Sequence, residues 1–286
     1  MSNILKQLAY YINKIANYIY KENNKVKEES LFLKKNYENE LLLYDTPIGK
    51  MWLDNKSIID ENIIKYGFWE KESTYCVNKL INKNDIVFDI GANIGYFSII
   101  FSNLVGKSGK VYAFEPAQKY FKRLKLNIIE NQLGNINLFN FGISDHEKYA
   151  DIMIDNSTAT LHPQISNQIL QCEKIKLTRL TTFIKENNIS QIHFIKIDID
   201  GHEPYILDDI FSVIDRFNCI VLFEINHLSY FKANVPAWDI YDKIIKKKYF
   251  IYTDSFEQII NIDDFLIKTS NFAYSSNVLI SKHEIY

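Results

Sequence analysis

The chain opens with apolar residues at helical spacing. Ile4, Leu8, Tyr11, Ile12, Ile15 and Ile19 mark one face of an amphipathic helix over residues 4–20. The polar run KENNKVKEES, residues 21–30, reads as a linker. Two apolar stretches in LLLYDTPIGKMWL, residues 41–53, then meet at a Pro-x-Gly turn, which predicts a hairpin. A helix is expected near Trp69–Leu80. From Asp85 onward, short and nearly continuous apolar runs alternate with helical ones. Strands are predicted at Ile86–Ile90, Lys110–Glu115, Ile136–Phe141, Ile192–Ile199, Cys219–Ile225, Tyr249–Thr253 and Asn277–Ser281. Helices are predicted near Tyr96–Leu104, Gln118–Asn131, Leu180–Asn187, Glu203–Phe211 and Ala237–Lys247. Residues 155–172 read as a long polar loop. Strands apolar on both faces, separated by helices, imply an α/β fold with a mostly parallel sheet covered on both sides. The pattern divides the chain into a helix and linker (1–30), a hairpin and helix extension (31–84) and an α/β domain (85–286).

Composition narrows the class. Hydrophobic residues make up 47% of the 286, enough for a large core. A net charge of -2 leaves no basic footprint for nucleic acid, and the run Lys246-Lys247-Lys248 reads as a solvated helix end. No stretch reaches the roughly 20 apolar residues of a membrane span, and the start lacks a signal-peptide cleavage pattern. Cys76, Cys172 and Cys219 form no metal or redox pair, so a reducing cytoplasm is the expected location. The first helix offers a surface for a homodimer.

The informative segment is IVFDIGANIGYFSIIF, residues 86–101. A buried strand ends at Asp89, a turn carries Gly91 and Gly95, and a helix begins. In an open α/β sheet this is where ligands bind. The spacing is G-x-x-x-G, not the G-x-G-x-x-G of a dinucleotide turn. A carboxylate at the strand end repels a pyrophosphate and favours a ligand carrying ammonium and sulfonium groups. S-adenosylmethionine is therefore preferred over NAD. The next strand, KVYAFEP, ends in Glu115, where a carboxylate can accept bonds from ribose hydroxyls. The donor site read from these segments is Asp89, Gly91, Asn93, Gly95, Tyr96, Glu115 and Pro116. Ser144 and Asp145 in GISDHE are added at the adenine edge, with an ordinary turn as the alternative.

DIGANIGYFS, then VYAFEPAQKYFKRLKLNI, then FIKIDIDGHEPYIL together resemble the FkbM-type methyltransferase family. The segment YGFWEKE, residues 66–72, resembles that family's opening segment. The resemblance runs from about residue 40 to 225. It implies a class I (Rossmann-like) fold with a seven-stranded sheet, S-adenosylmethionine as methyl donor, and a hydroxyl acceptor on a sugar, nucleotide-linked sugar or other small molecule. The chain departs from the family at Asp200, where glutamate is usual, and near Thr182, where an acid is frequent.

Methyl transfer to an alcohol needs alignment plus a base or a metal. In FIKIDIDGHE, Lys196, Asp198 and Asp200 share one face by the period of two, and His202 follows. The next strand ends with Glu224 and His227. Three readings stay open: a base site built from Asp198, His202, Glu224 and His227; a magnesium or manganese site on Asp198, Asp200 and Glu224; or a structural ion pair of Lys196 with Asp198. Glu203-Pro204 is explained by helix capping. Trp69 and Tyr66 are candidates for an aromatic wall, and Asn156, Ser157, Thr158, Thr160 and His162 for a loop over the donor. Two other functions were weighed against this one: a nicotinamide-dependent oxidoreductase and a non-catalytic interaction protein of the same fold.

Overall fold

The computed structural model describes residues 33, 40–162, 171–270 and 275–285. The predicted helix over 4–20 and its linker lie outside these residues. The hairpin is formed by β1 (Leu42–Thr46) and β2 (Gly49–Leu53), closed by the Thr46 hydroxyl donating to the Gly49 carbonyl at 2.6 Å. A helix not anticipated from the sequence, α1 (Ile58–Tyr66), follows. Ser57 caps it by accepting from the Asp60 amide, and Gly67 at φ 81° ends it. Next comes α2 (Lys71–Leu80).

The α/β part runs β3 (Ile86–Ile90), α3 (Tyr96–Val105), β4 (Lys110–Phe114), α4 (Gln118–Glu130) and β5 (Ile136–Phe139). Four short strands come next: β6 (Gly142–Ile143), β7 (Lys148–Ile154), β8 (Ala159–Thr160) and β9 (Gln171–Thr178). The chain continues through α5 (Leu180–Glu186), β10 (Phe194–Ile197), α6 (Glu203–Phe217) and β11 (Ile220–Ile225). It closes with α7 (His227–Lys232), α8 (Ala237–Lys246), β12 (Phe250–Thr253), α9 (Ile262–Thr269) and β13 (Ser276–Ser281).

All seven predicted strands belong to one sheet, in the order β12-β13-β11-β10-β3-β4-β5. Within it, β13 runs antiparallel to both β11 and β12, while β10 is parallel to β11 and β3, β3 to β4, and β4 to β5. The chain winds outward from β3 in one direction and resumes at β10 on its other side. This leaves a crevice at the carboxyl ends of β3 and β10. Successive strand residues enter different cores: Phe88 and Ile90 pack with Phe114, Phe183 and Ile206 on one face, Val87 with Val111, Phe97 and Phe101 on the other. Burial on both faces is why the strands read as unbroken apolar runs. Met51, Leu53, Ile63 and Val77 share the second core, so the extension packs directly on the sheet domain.

The segment 142–178 differs from its expected form. Its four strands make a separate sheet in the order β6-β9-β7-β8. The expected loop over 155–172 is interrupted by β8 and overlaps the start of β9, since Thr160 pairs with Met153 and Gln171 with Ile154. Asp151, Lys174 and Lys176 on the exposed face of β7 and β9 disguise a period of two, whose inward residues are Ile152, Ile154, Ile175 and Leu177. Among the described residues, no helix is long and apolar enough to cross a membrane.

Candidate active site

The carboxyl ends of β3, β4, β10 and β11 open on one cleft of about 260 Å³. Asp89, Gly91, Asn93 and Tyr96 line it from the first turn, and Glu115 and Pro116 from the second strand end. Lys196, Asp198, Asp200 and His202 line it from β10 and the turn beyond, and Glu224 and Asn226 from the end of β11. The small sheet supplies Ile152, Ile175 and Leu177 as an apolar wall, and Trp69 and Glu70 close the side before α2.

The glycine turn has a local cause. The Gly91 and Ala92 amides both donate to the Phe114 carbonyl, at 3.0 and 2.9 Å. Gly91 sits at φ 86°, and a β-carbon there would lie 1.7 Å from the Asp198 carbonyl oxygen. The glycine thus serves strand-to-strand approach as much as ligand approach. Asn93 takes φ 48°, a conformation asparagine tolerates. Its amide donates to Glu115 Oε2 at 2.9 Å, while Ala117 donates to Oε1 at 2.9 Å. Glu115 therefore holds both turns from the floor of the cleft. Burial nevertheless pushes its carboxyl up to about 8.

Asp89 is 1% exposed and still borders the cleft. The Ser98 hydroxyl donates to it. Burial raises its pKa to about 6, against the pull of Lys196 and Ser98. The Lys196 ammonium donates to Asp198 Oδ2 at 2.6 Å and lies 4.6 Å from the Phe97 ring. Burial pulls that ammonium down, yet Asp198, Glu70 and Asp89 together hold it above its ordinary value. Glu70 was not singled out in the sequence. It occupies the left-handed region at φ 45° just before α2. Burial lifts its carboxyl to about 7, and Asn277 donates to it at 3.0 Å. The strained backbone of Glu70 shows only in the fold, and the sequence carries no signal for it.

Several predicted residues lie elsewhere. Ser144 is fully buried, bonded to Asp145 at 3.0 Å and to His202 Nε2 at 3.0 Å, and neither Ser144 nor Asp145 lines the cleft. Gly142 and Ile143 border it instead, since Ser144 is buried against His202 and Asp145 is exposed. His227 opens α7 and bonds Thr269 at 2.8 Å, away from the cleft. Asn226, capping that helix, holds the cleft position. Tyr66 is 54% exposed and stacks on Phe68, so only Trp69 of the expected aromatic wall faces the cleft. His202 does line it, but Ser144 engages Nε2 and His162 engages Nδ1 at 3.2 Å. Burial depresses His202 to about 4, which keeps the ring neutral. Of the expected loop residues, Ser157 and Thr158 reach the cleft, held by an Asp155 carboxylate that accepts from both amides.

Asp198 and Glu224 are brought together, as their neighbouring strands require, and Glu203 joins them. One carboxylate oxygen from each lies within 4.8 Å of the others. Glu203 accepts from the Ile199 amide at 2.6 Å and the Gly201 amide at 3.0 Å. Asp200 is displaced from this group. The strand ends at Ile197, Asp200 adopts φ 52°, and its Oδ2 accepts from Ala159 at 3.0 Å. Its carboxyl is nonetheless pushed well above the usual range by burial and by Asp198.

These shifts set a pH dependence. Glu115, Glu203 and Glu70 hold protons in the folded chain up to about 8, 7 and 7. The unfolded chain releases them near 4.5. Their contribution to stability is fully present below that value and is lost as pH rises through the folded ones. His202 acts oppositely, but only between about 4 and 6.5. The ligand-free protein should therefore lose several degrees of Tm between pH 6.5 and 8. A flat or rising Tm in scanning fluorimetry would mean the acids are already ionised in the fold.

The profile of the methyltransferase FkbM domain matches residues 89–274, more than half of the chain. Among curated proteins no significant match is found. Solved structures of similar fold include a methyltransferase FkbM from Methylobacillus flagellatus, at 17% identity and TM-score 0.47, with 73% of this chain and 47% of that chain covered. A SAM-dependent O-methyltransferase from Thermotoga maritima aligns at 13% identity and TM-score 0.43, covering 84% and 76%. An rRNA methylase from Streptococcus thermophilus aligns at 12% identity and TM-score 0.43, covering 73% and 93%. With the family profile laid over the strand order and the glycine turn, the chain belongs to the FkbM methyltransferase domain family, with the Rossmann-like class I fold of S-adenosylmethionine-dependent enzymes.

Proposed function

We propose that the protein transfers the methyl group of S-adenosylmethionine to a hydroxyl of a sugar or related small molecule. The observation that carries this reading is the charge of the cleft. Six acidic side chains line it, Glu70, Asp89, Glu115, Asp198, Asp200 and Glu224, against the ammonium of Lys196; burial favours protons on most of them in the ligand-free fold, and an incoming cation favours their ionised forms. Such a rim attracts a cationic donor and repels phosphate. That argues against a nicotinamide dinucleotide and against a polyanionic RNA acceptor. A non-catalytic role is disfavoured by the free energy cost of crowding these acids into one place.

When bound, S-adenosylmethionine supplies an electrophilic methyl group on a sulfonium. Asp89 suits its sulfonium, Glu70 its ammonium, Glu115 its ribose, and Gly142, Ile143 and Leu177 its adenine. Asp198, the least buried of the Asp198–Glu203–Glu224 group, suits the acceptor hydroxyl, whose proton it takes as the oxygen is methylated. His202, neutral and engaged at both nitrogens, supports the turn rather than acting as base. The three free thiols, of Cys76, Cys172 and Cys219, fit a reducing, cytoplasmic setting.

The direct test incubates the pure protein with labelled donor and a panel of neutral sugars, nucleotide-linked sugars and RNA. Label on a sugar oxygen is expected. Label on RNA alone, or on nitrogen, would overturn the acceptor class. Glu115→Gln should weaken donor binding by about 1–3 kcal/mol, read by calorimetry with S-adenosylhomocysteine. An unchanged affinity would remove Glu115 from the donor site.

A further inference from the structure

We propose that Asp198, Glu203 and Glu224 form a site for one hard divalent cation, magnesium or manganese, beside Lys196 in the cleft. The proposal rests on the methyltransferase reading for what the ion does, and on geometry for where it binds. The three ligand oxygens lie within 4.8 Å of one another. Oxygens around an octahedral ion at about 2.1 Å are separated by roughly 3 Å when adjacent and 4.2 Å when opposite. A small inward shift therefore closes the set. The second and independent observation is Glu224 Oε2. This atom is buried and accepts from no amide, hydroxyl or ammonium, in a residue 6% exposed that borders the cleft and whose carboxyl also reaches Ser275 and the Glu203 carboxyl. A buried carboxylate oxygen without a partner is costly, and coordination of a cation removes the cost.

The surroundings agree. Glu203 is fixed by two backbone amides, as a metal-ligating carboxylate requires of its outer contacts. Lys196 is the nearby cation and is already bonded to Asp198 Oδ2. One ammonium faces three clustered acids. The set differs from the one expected from strand alternation, because Asp200 is turned toward Ala159 and Glu203 takes its place. Two adjacent hydroxyls of a sugar match the remaining coordination positions of such an ion, which would also lower the pKa of the hydroxyl to be methylated. The substrate class is thereby narrowed to a vicinal diol.

The test is a titration of manganese into the full chain, followed by the electron paramagnetic resonance signal of the free ion. The expected result is uptake of one ion per chain, displaced by magnesium, and weakened at least about tenfold in both Glu224→Gln and Asp198→Asn. Circular dichroism checks that both variants fold. Without cation, Glu224→Gln should melt no lower than the wild type, since an amide relieves the buried charge. No uptake by the wild type at millimolar manganese, or uptake unchanged in both variants, overturns the site. Donor binding measured in EDTA reports on the methyltransferase reading separately. Donor binding intact with no manganese uptake therefore sinks the cation site alone.

Discussion

Gly91→Ala is expected to cost the fold about 4 kcal/mol or more and to lower Tm by roughly 10 °C. Two terms add. Alanine at φ 86° occupies the left-handed region, worth about 1–2 kcal/mol. Its β-carbon would then sit 1.7 Å from the Asp198 carbonyl oxygen, which belongs to backbone and cannot swing aside. The ends of β3 and β10 must part, and the Asp198 amide bond to the Ile90 carbonyl, now 3.0 Å, is lost. Gly106 supplies the control. At φ 67° and ψ -174° it holds a conformation essentially confined to glycine, but a β-carbon there meets nothing within 4 Å, so Gly106→Ala should show backbone strain without the close approach. Equal melting of the two variants would refute the close-approach argument. Donor binding should vanish with Gly91→Ala as well, because the same separation opens the floor beneath Asp89.

Asp89→Asn tests the charge of the donor site without changing its shape. Loss of a buried charged partner should weaken S-adenosylmethionine binding by about 1.5–3 kcal/mol, roughly 10–150-fold. The loss should be greater for the sulfonium donor than for S-adenosylhomocysteine, which lacks the positive sulfur. Both affinities can be read by calorimetry. Asp89 already holds a raised pKa, near 6, because burial opposes its charge. The variant should therefore be at least as stable as the wild type at pH 8, where the carboxylate is ionised. Equal losses for the two ligands would mean that Asp89 serves the amino-acid end of the donor and does not read the sulfonium. Unchanged affinity for both would remove it from the site.

The sheet was legible for a specific reason. Strands buried on both faces, such as IVFDI and VLFEI, carry few polar residues, and helices between them change the period from 2 to 3.6. The small sheet was not legible, because β7 and β9 are half-solvated and polar residues such as Asp151, Lys174 and Lys176 imitate a loop. The helices α1 and α9 are short, at nine and eight residues, too few turns for a helical period to stand out. The period of two already set Lys196 on the face of Asp198, and the two are bonded. Only the converging acids Asp198, Glu70 and Asp89 explain a lysine that is 2% exposed.

The donor turn was legible as chemistry, since an acid, two glycines and a second acid one strand later are spaced along the chain by local geometry. The acceptor side was not. Alternation along β10 holds only while the strand lasts, and it stops at Ile197. Beyond that point positive φ at Asp200 and Gly201 turns Asp200 out of the carboxylate group, and the first turn of α6 brings Glu203 into it. His227 was assigned by its nearness in sequence to Glu224, yet helix α7 carries it to Thr269. Periodicity and strand-end motifs, which depend on neighbours in sequence, therefore determined the sheet, its order of elements and the acids and glycine turn at the ends of β3 and β4. The surroundings of His202 and the wall of the cleft depend on residues dozens to more than a hundred positions apart, and only the packed chain decides which of those meet.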